Sequence, residues 1–225
     1  MALVVGPEVL NRSPDPGMKT FVLYRPERLQ RVQKALRDAG IVGAELVLGP
    51  WAGSVTVPLG CTLAPSEVAC WRGHRAIAKR ATLVGEPCLV LEDDFLPVLG
   101  WERRLENLMV EADRPWDYIN LGRYLTIGDK KVWPGVEDSF SLTTHAYLLS
   151  QEGAYKYLRQ FAEPTTFALD WFPMCLRMLK VLNVYTASPR LFRQDRTIPG
   201  LIHGGPEPAE FWPDNLPRPD PRWLI

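Results

Sequence analysis

LVLEDDF, residues 89–95, is the stretch on which the reading of this chain turns. Leu89, Val90 and Leu91 run straight into Glu92, Asp93 and Asp94, and Phe95 resumes the apolar text. A short apolar run of this kind reads as a buried strand, parallel to its neighbours and covered on both faces. Three adjacent carboxylates at its end repel one another and lose solvation, so a cationic partner is expected to offset the cost. Ligands of open α/β sheets collect at such strand ends. The stretch therefore points to a divalent cation holding the phosphates of a nucleotide-activated donor. A simply solvated acidic turn is the plainer alternative.

Upstream, Lys19–Tyr24 (KTFVLY) reads as a strand, and Arg25-Pro26-Glu27 opens a helix with proline near its first turn. Leu29, Val32, Leu36 and Ala39 keep its apolar face as far as Gly40, and Ala44–Leu48 is a second strand closed by Gly49-Pro50. This strand–helix–strand opening implies a parallel sheet. Residues 50–63 form a loop. A helix runs from Pro65 to about Thr82, and its Glu67, Cys70, Trp71 and His74 share one face at i, i+3, i+4 and i+7 spacing. Downstream come an amphipathic helix at Trp101–Glu111 and a strand at Asp117–Leu121. A loop from Gly122 to Gly135 has a charged tip at Asp129-Lys130-Lys131. Then follow a strand at Ser141–Leu149, helices at Gln151–Phe161 and Asp170–Leu179, and a last strand at Val181–Tyr185. No internal repeat divides the chain. The expected organisation is a loose leader over 1–18, one domain over 19–205 and a Pro-rich tail over 206–225.

The 225 residues suffice for one sizeable α/β domain, and a hydrophobic share of 46% excludes global disorder. Lys plus Arg equals Asp plus Glu at 26 each, which argues against a broad basic field for duplex nucleic acid. Cys61, Cys70, Cys88 and Cys175 show no CxxC spacing and read as reduced thiols. No apolar stretch reaches membrane-spanning length, and Met1–Gly6 lacks the charged start of a signal peptide. A soluble cytoplasmic protein in a reducing compartment is expected, one that can still meet a membrane-bound acceptor.

Several acidic-strand and nucleotide enzymes drop out. A phosphatase with an aspartyl nucleophile needs Asp-x-Asp before a small hydroxyl residue, where this chain has Phe95-Leu96-Pro97. No GxxxxGK[ST] loop exists, and Arg25-Pro26-Glu27 stands where a GxGxxG would follow the first strand. In order along residues 19–195, the chain instead resembles glycosyltransferase family 25, the lipopolysaccharide and collagen galactosyltransferase type. The matching segments are VLYRPERLQR (22–31), PSEVACWRGHRAI (65–77), CLVLEDDF (88–95), Trp116-Asp117 and Leu121-Gly122. They continue with THAYLLS (144–150), Glu152-Gly153-Ala154 and the Pro-x-Leu-x-x-Gln of residues 189–194. Three positions depart from the family pattern. Leu23-Tyr24 replaces Asn-Leu, Gly73 replaces the Ser before the helix histidine, and a single Asp170 followed by Trp171 replaces paired acids.

The resemblance implies a GT-A-like fold: an α/β, Rossmann-type, mostly parallel central sheet flanked by helices. It implies a UDP-sugar donor, a Mn²⁺ or Mg²⁺ ion, an acceptor hydroxyl on a glycan, and inversion at the anomeric carbon. Such a transfer needs a base for the acceptor's proton while a metal supports the leaving diphosphate. Asp170, just before a helix, is the candidate base, although an acid favoured by the helix dipole is an equal reading. Asp94 is the stronger metal ligand, Asp93 a helper, and Glu92 is placed on ribose. His203 among glycines is a late candidate ligand. Tyr24, Arg25, Arg28 and His74 are placed at the donor, His74 with the alternative of a structural histidine bonded to a nearby strand. His145 faces the acceptor or packs. Trp51, Trp133 and Trp171 offer faces for sugar stacking. The alternatives are an inactive nucleotide-sugar or glycan-binding module, or transfer to a protein side chain or modified nucleobase.

Overall fold

A computed structural model of the chain describes residues 18–123, 126–160, 168–195 and 197–198. Most of the expected leader, the tail and His203 lie outside the described residues. Strand β1 (Lys19–Tyr24) leads through a 3-10 turn at Pro26–Arg28 into α1 (Leu29–Asp38), and the chain returns as β2 (Glu45–Leu48). Helix α2 (Pro65–Ala81) begins with proline in its first turn, where no amide hydrogen bond is lost, and the Glu67 carboxylate accepts the Ala64 N–H at 2.8 Å. It feeds β3 (Cys88–Glu92), β4 (Phe95–Pro97), α3 (Trp101–Val110) and β5 (Tyr118–Asn120). The second half runs β6 (Thr126–Trp133), β7 (Val136–Ser141), β8 (Ala146–Leu149), α4 (Gln151–Gln160), α5 (Phe172–Met178), β9 (Val184–Ala187) and β10 (Phe192–Gln194).

Eight strands form one sheet in the order β2-β1-β3-β8-β5-β9-β7-β6, and β10 pairs with β4 in a separate ribbon. Strands β2, β1, β3, β5, β9 and β6 point one way, and only β8 and β7 oppose them. The α/β class with a mostly parallel, helix-flanked sheet is therefore the fold observed. Period-2 alternation divides the core between the two faces of the sheet. Phe21, Val90, Tyr118, Tyr147 and Leu149 pack with Trp71, Ile77, Tyr157 and Phe172 of α2, α4 and α5. Val22, Leu89, Leu91, Ile119 and Leu148 pack with Val32, Leu36, Trp101 and Leu105 of α1 and α3. The centre of the sheet is thus dry on both sides, and polar chemistry is confined to strand ends.

Three expectations about elements are corrected. The segment read as a loop from Gly122 contains β6, whose Lys130 and Lys131 pair with Asp138 and Glu137 of β7. Its charges suit a strand at the edge of the sheet, where water solvates one side. Gly135, at φ +77°, turns β6 into β7. The strand expected over Ser141–Leu149 is two strands, because β7 ends at Ser141 and the chain bends through residues 142–145 before β8. Finally, β10 lies beyond the strand expected to be last, which itself sits at Val184–Ala187.

Candidate active site

The acidic stretch stands at the end of β3. Glu92 is the last residue of the strand, and Asp93 and Asp94 form the turn into β4. The two aspartates have opposite surroundings. Asp93 is buried, and Arg28 Nη1 donates to its Oδ1 at 2.5 Å while the Arg25 N–H donates to its Oδ2 at 3.1 Å. Arg25 Nε adds an ion pair at 3.6 Å, and Arg31 donates to the Asp93 carbonyl. The cationic offset expected for the acidic stretch is supplied, at this position, by the first turns after β1. Arg25 and Arg28, expected at the donor, are thus committed to Asp93, and Arg25 also pairs with Glu27 at 2.9 Å.

Asp94 is equally buried, yet among the described residues its carboxylate has one hydrogen-bond partner: Gln194 Nε2 donates to its Oδ2 at 2.8 Å. Among the described residues, none bonds its buried Oδ1. Burial first, and then the Glu92 charge, push the Asp94 carboxyl up to about 7. A buried carboxylate with an unpartnered oxygen fits a hard cation that prefers oxygen ligands.

Glu92 is held from two sides. His74 Nε2 lies 3.1 Å from its Oε1, and Thr144 Oγ1 donates to the same oxygen at 2.6 Å. Burial would raise the Glu92 carboxyl, but His74 and Thr144 together outweigh it and hold the group below its usual range. His74 is fully buried, and its Nδ1 lies 2.9 Å from the Tyr147 hydroxyl on β8. This is the strand-anchored histidine given as an alternative for this position. Cys70, His74 and Glu92 offer ligand atoms within 4.8 Å of one another. Both ring nitrogens are engaged, however, and burial followed by the nearby carboxylates pushes the Cys70 thiol well up, so the thiolate a metal would need is disfavoured.

Asp170 arrives from the opposite side of the sequence. A 3-10 turn, Leu169–Trp171, runs into α5, and Pro173 sits in the first turn of that helix rather than interrupting it. Asp170 Oδ1 lies 2.9 Å from Thr144 Oγ1, which joins Asp170 to Glu92 through one hydroxyl. Burial, then the Glu92 charge, push the Asp170 carboxyl up to about 6, against the hydrogen bond from the Thr144 hydroxyl, the His74 ring and the Thr144 backbone amide. The structure thus gathers Glu92, Asp94, His74 and Asp170 around the end of β3.

The remaining candidates fall elsewhere or serve the frame. Tyr24 is half-buried against the core, and its carbonyl accepts the Gly49 N–H at 2.9 Å. His145 packs its ring over Gly122, where an added Cβ would stand 2.3 Å from Cε1, and it hydrogen-bonds Thr143. Trp133 is buried edge-on against Tyr185, so its face is not open to a sugar. Trp51 is 56% exposed in the loop after β2, and Trp171 stays half-buried beside Asp170. Three contributors escaped the reading of the sequence as site residues. Thr144 and Gln194 stood inside quoted motifs without a role, and Asn120 was a letter in a strand. The Asn120 side chain accepts the Gly122 and Arg123 N–H groups at 2.9 and 3.0 Å and donates to the Thr143 carbonyl at 2.5 Å, fixing the bend that carries Thr144.

No family model matches the chain. Procollagen galactosyltransferase 1 of Danio rerio is 33% identical to it over 115 residues, which is 47% of this chain and 19% of that protein. The chain therefore spans about a fifth of the length of that relative. Among solved structures, a glycosyltransferase involved in the glycosylation of the major capsid of PBCV-1 aligns over 78% of this chain and 94% of its own. The identity is 10% and the TM-score 0.44. Among the described residues, no helix is long and apolar enough to cross a membrane.

Proposed function

We propose that this chain is a metal-dependent, inverting glycosyltransferase of the family 25 kind. It moves a hexose, galactose or glucose, from a UDP-sugar to an acceptor hydroxyl on a glycan. The observation that carries this reading is the division of labour around Glu92. One neighbour, Asp94, offers a buried oxygen that has no hydrogen-bond partner among the described residues, and the other, Asp170, has a carboxyl placed near the proton affinity of a general base at neutral pH. The similarity to a procollagen galactosyltransferase supports the same class.

In this reading Asp94 holds the Mn²⁺ or Mg²⁺ ion, which supplies positive charge for the oxygens of the leaving diphosphate. Asp93 does not serve as helper ligand, because both of its oxygens already face Arg25 and Arg28. Glu92, kept ionised by His74 and Thr144, accepts a ribose hydroxyl. Asp170 takes the proton of the acceptor hydroxyl as that oxygen bonds the anomeric carbon. The bond from that carbon to the phosphate breaks, and the electron pair leaves with the diphosphate. His74 is a positioning residue for Glu92.

Thermal unfolding with UDP-galactose, UDP-glucose and UDP alone, each with and without Mn²⁺, tests the class. Stabilisation that needs both nucleotide and metal, and is lost in Asp94→Asn, is the expected result. Equal stabilisation by the nucleotide without metal would overturn the role of Asp94.

A further inference from the structure

Two aspartates share the turn after β3, and their hydrogen-bond donors differ in kind. Asp93 faces guanidinium groups, which hold its carboxylate and offset its charge. Asp94 faces a carboxamide, which holds it and leaves its charge intact. That donor comes from β10. Along the strand Phe192 is buried and Arg193 exposed, so the alternation returns Gln194 to the face of Phe192, one step beyond the core. Gln194 is exposed as a whole, yet its Nε2 reaches the buried Asp94 Oδ2 at 2.8 Å. An amide that meets a carboxylate presents its N–H side, so the orientation of this group follows from its partner. The strand is fixed on both sides of the contact. Gln194 pairs with Phe95 across the β4–β10 ribbon, and the Asp195 N–H donates to the Asp94 carbonyl at 2.7 Å. Arg31 Nη2 then donates to Asp195 Oδ2 at 3.0 Å and to the Phe95 carbonyl at 3.3 Å. One arginine of α1 thus ties the acidic turn and the end of β10 together.

Resting on the function proposed above, we infer that Gln194 is a positioning residue for the divalent cation: by donating to Asp94 Oδ2 it fixes the plane of the carboxylate and presents Oδ1 as the ligand atom. Oδ1 is the oxygen that none of the described residues bonds. A carboxylate held at neither oxygen turns about its Cβ–Cγ bond, and a ligand that must first be ordered binds more weakly. A carboxylate held by a cation, as Asp93 is, repels a second cation through the first. The neutral amide of Gln194 avoids both faults. Ligating carboxylates are themselves held by hydrogen bonds of this sort, and losing such a partner costs about 10- to 100-fold in metal affinity. The choice of carboxamide over guanidinium therefore separates Asp94 from Asp93, and it is made by a residue 100 positions away in the chain.

The test needs neither donor nor acceptor. Mn²⁺ uptake by the full chain is followed through the EPR signal of the free ion, in the wild type, Gln194→Met and Gln194→Lys. Methionine keeps the length of the side chain and removes the donor, so it should weaken Mn²⁺ binding about tenfold or more. Lysine keeps a donor of similar reach but brings a charge, so it should weaken binding further than methionine does. A glutamine that only holds the ribbon gives another pattern: the metal-free Tm falls in Gln194→Met, while the folded protein keeps its wild-type affinity for Mn²⁺. Wild-type affinity in Gln194→Met overturns the inference, and so does an affinity in Gln194→Lys equal to or above that of Gln194→Met. Asp94→Asn, measured alongside, reports on the metal site itself. If the wild type takes up no Mn²⁺, or Asp94→Asn binds it as tightly, the functional reading fails at its metal and the inference falls with it. If Asp94→Asn loses the ion while Gln194→Met keeps it, only the role of Gln194 fails.

Discussion

Asp93 and Asp94 are neighbours of the same residue type in the same turn, and their surroundings give them unlike tasks. The carboxylate of Asp93 faces Arg28 in a buried pair, both side chains less than a tenth exposed. Removing one partner of such a pair leaves an uncompensated buried charge, which costs about 3 kcal/mol or more. Arg28→Met is therefore expected to lower the free energy of unfolding in urea by about that amount. Arg28→Met with Asp93→Asn should recover most of the loss, since no charge is left stranded. A single variant as stable as wild type would show that water reaches Asp93 and that the pair is of the weak surface kind. This distinction was hidden in the sequence. LVLEDDF announces a charge problem at the end of a strand, but which carboxylate is neutralised depends on where the helix start of residues 25–31 comes to rest. Those arginines lie more than sixty positions away, and nothing local marks Asp93 over Asp94.

At the scale of elements, two close approaches decide how the helices seat on the sheet. The start of α4 rests on the start of β5 so closely that a Cβ on Gly153 would stand 2.1 Å from the Asp117 carbonyl oxygen. Backbone cannot swing aside as a side chain can, so Gly153→Ala should cost about 3 kcal/mol and move α4 outward. Thermal unfolding checks this, and a loss below about 1 kcal/mol would mean that the helix shifts freely. Gly73 meets a softer neighbour: its added Cβ would lie 2.8 Å from both terminal methyls of Leu23. Leu23 and Gly73 thus fill one another's space across α2 and β1. Gly73→Ser alone should destabilise by about 1 kcal/mol, and Leu23→Ala should offset part of that loss in the double variant. Strictly additive effects would break the link between the two positions. Helices and central strands were legible because apolar periodicity marks them, with α2 expected over Pro65 to about Thr82 and found at Pro65–Ala81. The β6 strand was not. On a sheet edge the charges of Lys130 and Lys131 cost nothing, so local composition there resembles that of a loop.

The whole molecule joins its two halves at the end of β3, where β10 brings Gln194 to Asp94 and the turn before α5 brings Asp170 to Thr144. These long-range meetings were only partly legible. Asp170 was marked by its place before a helix, whereas the shared hydroxyl that couples it to Glu92 exists only in the folded chain. The assembly has a consequence for stability. Asp94 and Asp170 have carboxyls raised to about 7 and about 6, whereas an unfolded aspartate titrates near ~3.9. Between roughly pH 4 and 7 the native state therefore binds more protons than the unfolded state, so stability falls as pH rises through that window. Glu92, held below its usual range, acts in the opposite sense and loses its contribution only as pH falls into the acid range. Without metal, the protein should be more stable at pH 5 than at pH 8 by an amount on the order of a few kcal/mol. A divalent cation binds the ionised form of Asp94, so its stabilising effect should grow with pH. Unfolding at pH 5 and pH 8, with and without Mn²⁺, reads both effects at once. Mn²⁺ should raise the Tm at pH 8 far more than at pH 5, and Asp94→Asn should flatten the pH dependence and remove the response to metal. A metal response of equal size at both pH values, or one that survives in Asp94→Asn, would place the ion on other ligands and leave the orphaned Oδ1 of Asp94 without a role.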